Sequence, residues 1–317
     1  MREKSAICGV VVTFHPTDVV WGNLRDIIAQ CGRVLVVDNG SAQEICDRIA
    51  AVPGVELLAL RENLGVAAAL NRGAVWARNN GFQWMISFDQ DSKPMAGLVA
   101  GLWTSHERHP EAAVVGSHIV EEGMASSSYR WLRQHPHWPV LFQRAACRDR
   151  DLSSVTFVVS SGSLIELEVW QQLGGFDEGL FIDYVDSDYC LKALRVGRSI
   201  AVAADARLHH QLGARLPGRF FGMNLRPMHH AAFRHYYQAR NRVRIWRRHA
   251  LAVPHWALFD LSFACLNAFR VIIFESSKWA KFKAMLLGTW DGVRGRSGSC
   301  SRQRMRVLQP GCHSNQT

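Results

Sequence analysis

Uninterrupted hydrophobic runs alternate with amphipathic helical patterns along the first third of the chain. The runs that match buried strands cover residues 7–14, 34–37, 55–60 and 84–88. The stretches with helical periodicity cover residues 18–30 and 65–80. Because buried runs separated by helices are typical of parallel strands covered on both faces, the pattern predicts an α/β fold with a mostly parallel central sheet.

The hydrophobic pattern becomes less regular after residue 120. Residues 121–150 contain Trp, Pro and His without a clear period, which indicates a long loop. The elements predicted next are strands over 155–159 and 199–203 and helices over 164–173 and 185–196. The helices predicted towards the C-terminus cover 229–250, 254–274 and 276–290. We therefore expect an α/β domain over residues 5–248 and a basic helical tail over residues 249–317.

The 317-residue chain is basic, with a formal net charge of +10, and its Arg and Lys residues crowd the stretch 234–306. Such a charge suits a polyanionic partner: nucleic acid, anionic lipid or a phosphorylated substrate. The eight cysteines form no CxxC pair, and the first hydrophobic run is too short for a signal peptide. These features predict scattered thiols in a reducing, cytoplasmic location.

Acidic residues directly follow two of the predicted strands. Asp38 comes after one strand, and the motif Asp89-Gln90-Asp91 comes after another. Because the carboxyl ends of parallel strands share one rim, these carboxylates are expected to lie together. Asp89 and Asp91 could hold Mg²⁺ or Mn²⁺, and Asp38 could accept hydrogen bonds from a ribose or base. The alternative is that all three residues form ordinary solvated turns.

The densest acidic cluster spans residues 176–189 and contains several aromatic residues. Asp186 stands near the start of a predicted helix, where it could take a proton from an attacking hydroxyl group. The alternative is that Asp183 or Asp186 only caps that helix.

Three further polar positions each allow a chemical and a structural interpretation. Gly65 could let a phosphate approach a helix N-terminus, or Asn63 could simply cap that helix. His210 could complete a metal site or be structural. Arg240 could clamp a phosphate or belong to a packed amphipathic helix. The sequence contains no Walker A motif and no GxGxxG motif, which disfavours P-loop and dinucleotide-binding folds.

Taken in order, these motifs resemble family 2 glycosyltransferases with a GT-A fold. The segments that carry the resemblance are 10–14, 37–39, 62–65, 89–91, 160–162, 175–178 and 185–189. The segments that narrow it to dTDP-rhamnosyltransferases of rhamnolipid and surface-polysaccharide synthesis are 180–186, 210–213, 236–241 and 290–295. The resemblance covers nearly the whole chain.

The resemblance implies an inverting, metal-dependent transfer of rhamnose from dTDP-L-rhamnose to a hydroxyl of a lipid-linked or glycolipid acceptor. It implies Mg²⁺ or Mn²⁺ as the cofactor. The donor half would cover residues 5–120 and the acceptor half residues 121–248. Transfer of another sugar, such as galactofuranose, stays open as an alternative.

The resemblance also assigns roles to individual residues. Asp186 would be the general base, although Val185 replaces the acid that precedes it in the family pattern. Asp91 and His210 would bind the metal. The residues assigned to the donor are Thr13, Asp38, Asn63, Gly65, Asp89 and Arg240. The residues assigned to the acceptor side are Ser161, Gly162, Asp177, Glu178 and Asp183.

The apolar stretch 257–274 is interrupted by Asp260, Asn267 and Arg270, which argues against a membrane-spanning helix. Its aromatic residues, followed by several lysines, are typical of a helix that lies on an anionic membrane surface. We therefore expect a peripheral protein on the inner face of the cytoplasmic membrane; the alternative is a pair of helices packed on the catalytic domain. A nucleic-acid-binding protein is a rival interpretation, but the chain lacks zinc-finger spacing and RNP-like motifs, so no nucleic-acid partner is expected.

Overall fold

A computed structural model describes residues 6–120, 129–209, 218–220, 223–225, 231–275, 277–301 and 304. The strands are β1 (Ile7–Thr13), β2 (Arg33–Asp38), β3 (Val55–Ala59), β4 (Trp84–Asp89), β5 (Lys93–Pro94), β6 (Ala112–Val120), β7 (Arg130–Gln134), β8 (Phe142–Ala146), β9 (Ser163–Glu166), β10 (Ser199–His209), β11 (Gly218–Phe220) and β12 (Met223–Leu225). The α-helices are α1 (Val19–Ile28), α2 (Gln43–Ala50), α3 (Val66–Asn79), α4 (Leu98–Arg108), α5 (Leu167–Gln172), α6 (Val185–Arg195), α7 (Ala232–His249), α8 (Pro254–Phe274) and α9 (Lys278–Val293).

Eight strands form one central sheet in the order β3-β2-β1-β4-β9-β6-β10-β5. The four strands β3, β2, β1 and β4 pair in parallel, as do β6 and β10. The strand β9 lies antiparallel between β4 and β6. The predicted α/β fold with a mostly parallel sheet is confirmed.

The register of the parallel strands brings the predicted carboxylates to one rim. Thr13 at the end of β1 pairs with Asp38 at the end of β2, and Val12 pairs with Asp89 at the end of β4. Every residue of β1 is buried, because helices cover both faces of the sheet. The core therefore fixes the backbone from which these polar side chains project.

Several predicted elements between residues 92 and 173 are wrong or were missed. The segment predicted as a long loop contains the antiparallel hairpin of β7 and β8. Residues 155–159 form an isolated bridge at Val155 instead of a strand, and the strand lies later, at β9. The helix expected from residue 164 starts at Leu167. The pattern analysis also assigned nothing to α4 or β6.

The C-terminal helices pack on the α/β layer and on each other. Helix α9 crosses α7 closely at Gly288, where an added Cβ atom would stand 2.2 Å from the carbonyl oxygen of Tyr236. Among the described residues, one helix, α8, has the length and composition that crossing a membrane would require. The expectation that this region lies on a membrane surface stays a prediction, as does the domain boundary near residue 248.

Two helical glycines offer a matched test of this packing. Replacing Gly288 with alanine is expected to lower the free energy of unfolding by about 1–3 kcal/mol, since the methyl group collides with backbone. Replacing Gly22, an exposed residue of α1 with open space around it, is expected to raise that free energy by about 0.5–1 kcal/mol. Urea denaturation of both variants measures the difference. Equal effects of the two substitutions would contradict the close approach of α7 and α9.

Candidate active site

A cavity of about 480 Å³ opens at the carboxyl ends of β1, β2 and β4. Its lining comes from β1, from the turns after β2 and β4, from the start of α3, from the segment before α6 and from α7. The predicted site residues in this lining are Thr13, Asn63, Gly65, Asp89, Asp91, Asp183 and Asp186. The structure therefore brings together most of the donor-side residues and the predicted base.

Asp38 lies beneath the floor of this cavity and is fully buried. Its carboxylate accepts hydrogen bonds from the Thr13 hydroxyl (2.8 Å), from the Ser41 hydroxyl (2.6 Å) and amide (2.7 Å), and from the Gly40 amide (3.1 Å). These bonds fix the turn after β2, in which Asn39 lines the cavity. A contact between Asp38 and a nucleoside stays a prediction.

The start of α3 is held by side-chain and backbone hydrogen bonds. Asn63 accepts a hydrogen bond from the Gly65 amide (3.0 Å) and one from the Asn39 side chain (3.1 Å). Gly65 has a φ of +89°, and a Cβ atom there would stand 2.5 Å from the Phe181 carbonyl oxygen. The next amide, that of Val66, donates to this same oxygen (2.7 Å). This end of α3 therefore supports the segment before α6, and glycine is needed for the close approach.

The motif after β4 presents two carboxylates to the cavity. Asp89 and Asp91 both line it, and the Asp89 amide donates to the Ser161 hydroxyl (3.0 Å), which fixes the start of the turn. The intervening Gln90 also lines the cavity, and its side-chain oxygen accepts a hydrogen bond from the Phe14 amide (2.8 Å). Two carboxylates fit a hard divalent cation whose other ligands are substrate phosphate and water.

Within the described part of the chain, no group of three His, Cys, Asp or Glu side chains could hold a metal ion. His210, the third metal ligand predicted from the resemblance, lies outside the described residues. The structure thus supplies a pair of candidate ligands at this rim.

The segment before α6 has an unusual backbone. Phe181, Asp183 and Tyr184 all have positive φ values, of 65°, 60° and 67°. Non-glycine residues rarely adopt this left-handed region, so the surrounding structure must hold them there. Clustered strain of this kind is typical of functional segments.

Asn241 of α7 holds this strained segment. Its buried side-chain amide donates to the carbonyl oxygens of Leu180 (2.9 Å), Ile182 (2.7 Å) and Asp183 (3.1 Å). Sequence analysis found Asn241 only as part of a family motif and gave it no role. Its position shows that α7 determines where Asp183 and Asp186 stand.

Arg240 was expected to contact the donor diphosphate, and the structure places it elsewhere. Its buried guanidinium group donates to the carbonyl oxygens of Gly179 (3.1 Å), Leu180 (3.0 Å) and Gly298 (2.6 Å). It also lies 4.8 Å from the ring centre of Tyr237 and is absent from the cavity lining. The guanidinium group of Arg240 is thus engaged mainly by backbone oxygens, and the residue connects Gly179 and Leu180 to Gly298.

Arg234 is the cation that sequence analysis missed. Among the described residues it is the one Lys or Arg side chain that lines the first cavity. It binds both carboxylate oxygens of Asp183, at 3.1–3.2 Å. Burial by itself lowers the pKa of Arg234. The negative charges of Asp183, Asp89 and Asp186 have the larger effect, so the pKa is raised. Arg234 lies on the same helix as Arg240 but before the segment 236–241 that carries the family resemblance, so no sequence motif indicated it.

Asp186 lies in the first turn of α6 and faces the cavity. Burial raises the pKa of its carboxyl group to about 6, and the nearby Asp89 and Asp183 carboxylates add to the increase. One carboxylate oxygen accepts a hydrogen bond from the Ser187 amide (2.8 Å). A carboxylate with a pKa near neutrality and an open face is well suited to general base catalysis.

The comparisons with known proteins agree with this geometry. Residues 10–174 match the family model described as Glycosyl transferase family 2. The chain belongs to glycosyl transferase family 2. This glycosyltransferase is 28% identical over 305 residues to the dTDP-rhamnosyl transferase RfbF of Shigella flexneri, which covers 93% of this chain and 98% of that protein.

Solved structures show the same fold. The S. aureus TarS 1-349 structure aligns with a TM-score of 0.56 at 12% identity, over 95% of this chain and 82% of that one. The structure of GalNAc-T7 with UDP, GalNAc and Mn²⁺ aligns with a TM-score of 0.55 at 15% identity, over 76% of this chain and 47% of that one. The GT-A fold expected from the resemblance is confirmed.

The remaining acceptor-side residues of this glycosyltransferase lie outside the cavity. Ser161 is buried and donates to Ser92 (2.8 Å), and Gly162 is packed so closely that a Cβ atom would stand 2.4 Å from the Ser117 hydroxyl. Asp177 pairs with Arg244 and Arg248.

Glu178 bonds to Asn71 (2.9 Å) and, like Asp177, lines a separate surface recess. Ser161 and Gly162 therefore support the rim, whereas Asp177 and Glu178 do not face the first cavity.

Proposed function

We propose that this glycosyltransferase transfers rhamnose from dTDP-L-rhamnose to a hydroxyl group of a lipid-linked or glycolipid acceptor, with inversion at the anomeric carbon. The observation that carries the proposal is the position of Asp186, whose carboxyl group of raised pKa faces a cavity that also contains Asp89, Asp91 and Arg234. Asp186 can activate a hydroxyl group, while Asp89 and Asp91 with a bound cation, together with Arg234, can stabilise a leaving diphosphate.

The choice of donor rests on the relatives. The dTDP-rhamnosyl transferase of Shigella flexneri is similar along nearly its whole length. A further S. aureus TarS structure, in complex with UDP-GlcNAc, shares the fold with a TM-score of 0.56 at 12% identity, over 90% of this chain and 81% of that one. A nucleotide-diphosphate sugar fits the chemistry of the cavity, because Asp89 and Asp91 suit a phosphate-bound cation and Arg234 suits phosphate oxygens.

The residues of this chain divide the work of a single displacement. Asp186 accepts the proton of the acceptor hydroxyl as its oxygen attacks the anomeric carbon, and the bond to the diphosphate breaks on the opposite side. Arg234 lines the same cavity as Asp89 and Asp91, so its positive charge can stabilise the negative charge that builds on the departing diphosphate. Attack from the side opposite the leaving group inverts the configuration.

Asp89 and Asp91 would hold Mg²⁺ or Mn²⁺, with His210 as a proposed third ligand. When bound, the cation neutralises charge on the diphosphate. Without a bound metal ion, the cavity is lined by four carboxylates, those of Asp89, Asp91, Asp183 and Asp186, against one cation, Arg234, and this excess of negative charge opposes the binding of a dianionic substrate. This charge balance supports the proposed metal dependence.

We also propose that the enzyme works on the inner face of the cytoplasmic membrane. The exposed hydrophobic residues concentrate on α8 and α9, and include Leu261, Leu266, Phe269, Ile272, Ile273, Trp279, Phe282, Leu286, Trp290 and Val293. Lys278 and Lys283 are exposed on the same helices and suit anionic lipid headgroups.

A donor panel with and without metal tests the proposal. We expect dTDP-L-rhamnose to give faster release of nucleotide diphosphate than UDP-galactofuranose or UDP-GlcNAc when Mg²⁺ or Mn²⁺ is present. Removing the metal with EDTA is expected to reduce turnover about 10²-fold or more, and added Mn²⁺ should restore it. Turnover that is indifferent to EDTA would overturn the metal dependence, and release from none of these donors would overturn the proposed reaction.

The Asp91→Asn variant sharpens the metal test. It is expected to raise the Mn²⁺ concentration for half-maximal turnover at least tenfold, because a neutral amide is a weaker ligand for a hard cation. Asp18→Asn serves as the control, since Asp18 is an exposed residue at the start of α1. If both variants keep the wild-type metal response, Asp91 is not a ligand.

A further inference from the structure

A second cavity, of about 370 Å³, lies against the first. The two cavities share Asp183, Tyr184, Asp186 and Arg234 in their linings. The base therefore faces both spaces, with Asp89 and Asp91 lining only the first. In a single displacement the attacking hydroxyl group approaches the face of the reacting carbon opposite the leaving group and lies beside the base. The second cavity, which borders Asp186 away from Asp89 and Asp91, is therefore placed for the molecule that supplies the hydroxyl group.

The second cavity differs from the first in its chemistry. Its aromatic lining comes from the β7 strand and its flank, from the segments before β9 and before α6, and from α8. The residues are Tyr129, Trp131, Phe157, Tyr184, Trp256, Phe259 and Phe263. The ring of Phe259 lies 6.1 Å from that of Phe157 and 6.3 Å from that of Phe263. Aromatic faces of this kind pack against the C–H faces of sugars and against alkyl chains.

The aromatic wall continues out of the cavity along α8. Leu266 follows Phe259 by seven residues and Phe263 by three, and Ile273 follows Leu266 by seven. These spacings place all four side chains on one face of the helix. Leu266 and Ile273 are each 38% exposed. An apolar stripe thus runs from the base to the free surface of the helix.

We propose that the second cavity binds the sugar head of an amphiphilic acceptor and that its hydrocarbon chain lies along the stripe Phe259, Phe263, Leu266 and Ile273. The inference rests on the proposed transferase function and assigns residues to the acceptor. The lining also holds many polar side chains, and of these Asp186, Arg234 and Gln238 meet the hydroxyl groups of the head. The hydrocarbon chain covers apolar side chains that would otherwise face water.

The position of Asp260 supports this arrangement. Asp260 of α8 is buried and accepts hydrogen bonds from the Tyr184 hydroxyl, from Arg242 (2.9 Å) and from Trp246 (2.7 Å). These bonds connect α8 to the strained segment that precedes Asp186. The helix that carries the stripe is therefore held in a fixed place relative to the base.

Alkyl rhamnosides of increasing chain length provide the test. Release of nucleotide diphosphate from dTDP-L-rhamnose is measured with methyl, octyl and dodecyl rhamnoside as acceptors, below their micelle concentrations. We expect KM to fall at least tenfold from the methyl to the dodecyl compound in the wild-type enzyme, because each buried methylene group favours binding. In the double variant Leu266→Ser/Ile273→Ser the gain should shrink to about threefold or less.

The double variant Leu261→Ser/Ile272→Ser is the matched control. Leu261 and Ile272 are 48% and 55% exposed on the same helix, and they lie on its other side relative to Phe259. The control should keep the full dependence on chain length. Equal losses in both double variants, or a wild-type KM that does not respond to chain length, would overturn the inference while leaving the transferase function intact.

A binding measurement separates failure of the inference from failure of the proposed reaction. A dodecyl rhamnoside with a photoreactive diazirine at its chain end is cross-linked to the full-length enzyme, and labelled peptides are identified by mass spectrometry. Label concentrated in the peptide that contains Leu266 and Ile273 supports the inference even if no rhamnoside is turned over. Label spread over the chain, or located away from α8, contradicts it whatever the donor panel shows.

Discussion

The Asp186→Asn variant is expected to lose about 10³-fold in transfer rate while its fold is retained. The amide occupies the same volume but cannot accept the proton of the acceptor hydroxyl. Binding of the nucleotide-sugar donor should change little, since Asp186 acts on the other substrate. Turnover assays and calorimetric titration with the donor measure the two properties, and a variant that keeps a tenth of the wild-type rate would exclude Asp186 as the base.

The raised pKa of Asp186 gives the same variant a second signature. The ionised carboxylate is disfavoured by burial, so the folded state holds a proton up to about pH 6, whereas the unfolded chain releases it near 3.8. Wild-type stability therefore falls as pH rises between these values, and the loss is complete above pH 6. At pH 7.5 the asparagine variant should be more stable by about 1–2 kcal/mol.

Asp188, two residues further along α6, is expected to show the opposite effect on stability. It is fully buried, and although burial alone would raise its pKa, its partners His249 and Lys192 hold that pKa below the usual value. Asp188→Asn should therefore lower the free energy of unfolding by about 2–4 kcal/mol, because it leaves those partners without a buried counter-charge. Denaturation of both variants at pH 7.5 should show changes of opposite sign.

The pH dependence of the wild-type enzyme follows from the same group. Because the base must be ionised, kcat/KM is expected to fall tenfold per pH unit below about pH 6. The Asp186→Asn variant should lack this limb in whatever residual activity it shows. A wild-type profile that is flat between pH 5 and pH 7 would contradict the assignment.

The second large effect is expected at Arg234. Arg234→Met keeps an unbranched, flexible side chain but removes the cation that borders three carboxylates, and should lower kcat about 10²-fold. Loss of the positive charge also favours the protonated form of Asp186, which raises the pKa of that carboxyl group further. The acidic limb of the pH profile should therefore move to higher pH, an effect that a general loss of folding would not produce.

Arg244→Met is the matched control for this prediction. Arg244 lies on the same helix and binds both oxygens of Asp177, at 2.7 and 3.1 Å, outside the first cavity. Its replacement removes a comparable ion pair and should leave the pH profile in place. If both variants shift the profile equally, or neither does, Arg234 has no direct influence on the base.

The sequence predicted the fold best at the buried parallel strands that end in a polar residue. Continuous burial of β1, β2 and β4 produced hydrophobic runs, and parallel pairing then placed Asp38 and Asp89 on one rim. It failed at β9 because Ser163–Glu166 continues into α5 without a break, so that a short apolar run and a helix start look alike. The β7–β8 hairpin was missed because its faces do not alternate cleanly between buried and exposed residues.

In the candidate site too, some residues could be predicted from the sequence and others could not. Asp89, Asp91 and Asp186 could be found from sequence because Asp89 and Asp91 directly follow a hydrophobic run and Asp186 stands near the start of a predicted helix. Arg234 and Asn241 do not, since their roles depend on three left-handed residues that no propensity predicts. Arg240 was assigned to phosphate because arginine suits that ligand, yet tertiary structure surrounds it with carbonyl oxygens. The contacts of Arg240 are thus determined by the segment that packs against α7, which the sequence of α7 does not reveal.

The bonds between Gly298 and the segment before α6 have a practical consequence. The Gly298 amide donates to the Gly179 carbonyl oxygen (2.7 Å), while its own carbonyl oxygen accepts from Arg240. A fragment shortened at residue 248 to improve solubility would lose this cross-connection and the backing of α9. Solubility is better improved by replacing exposed residues such as Trp279 with polar ones, which leaves the support of Asp186 complete.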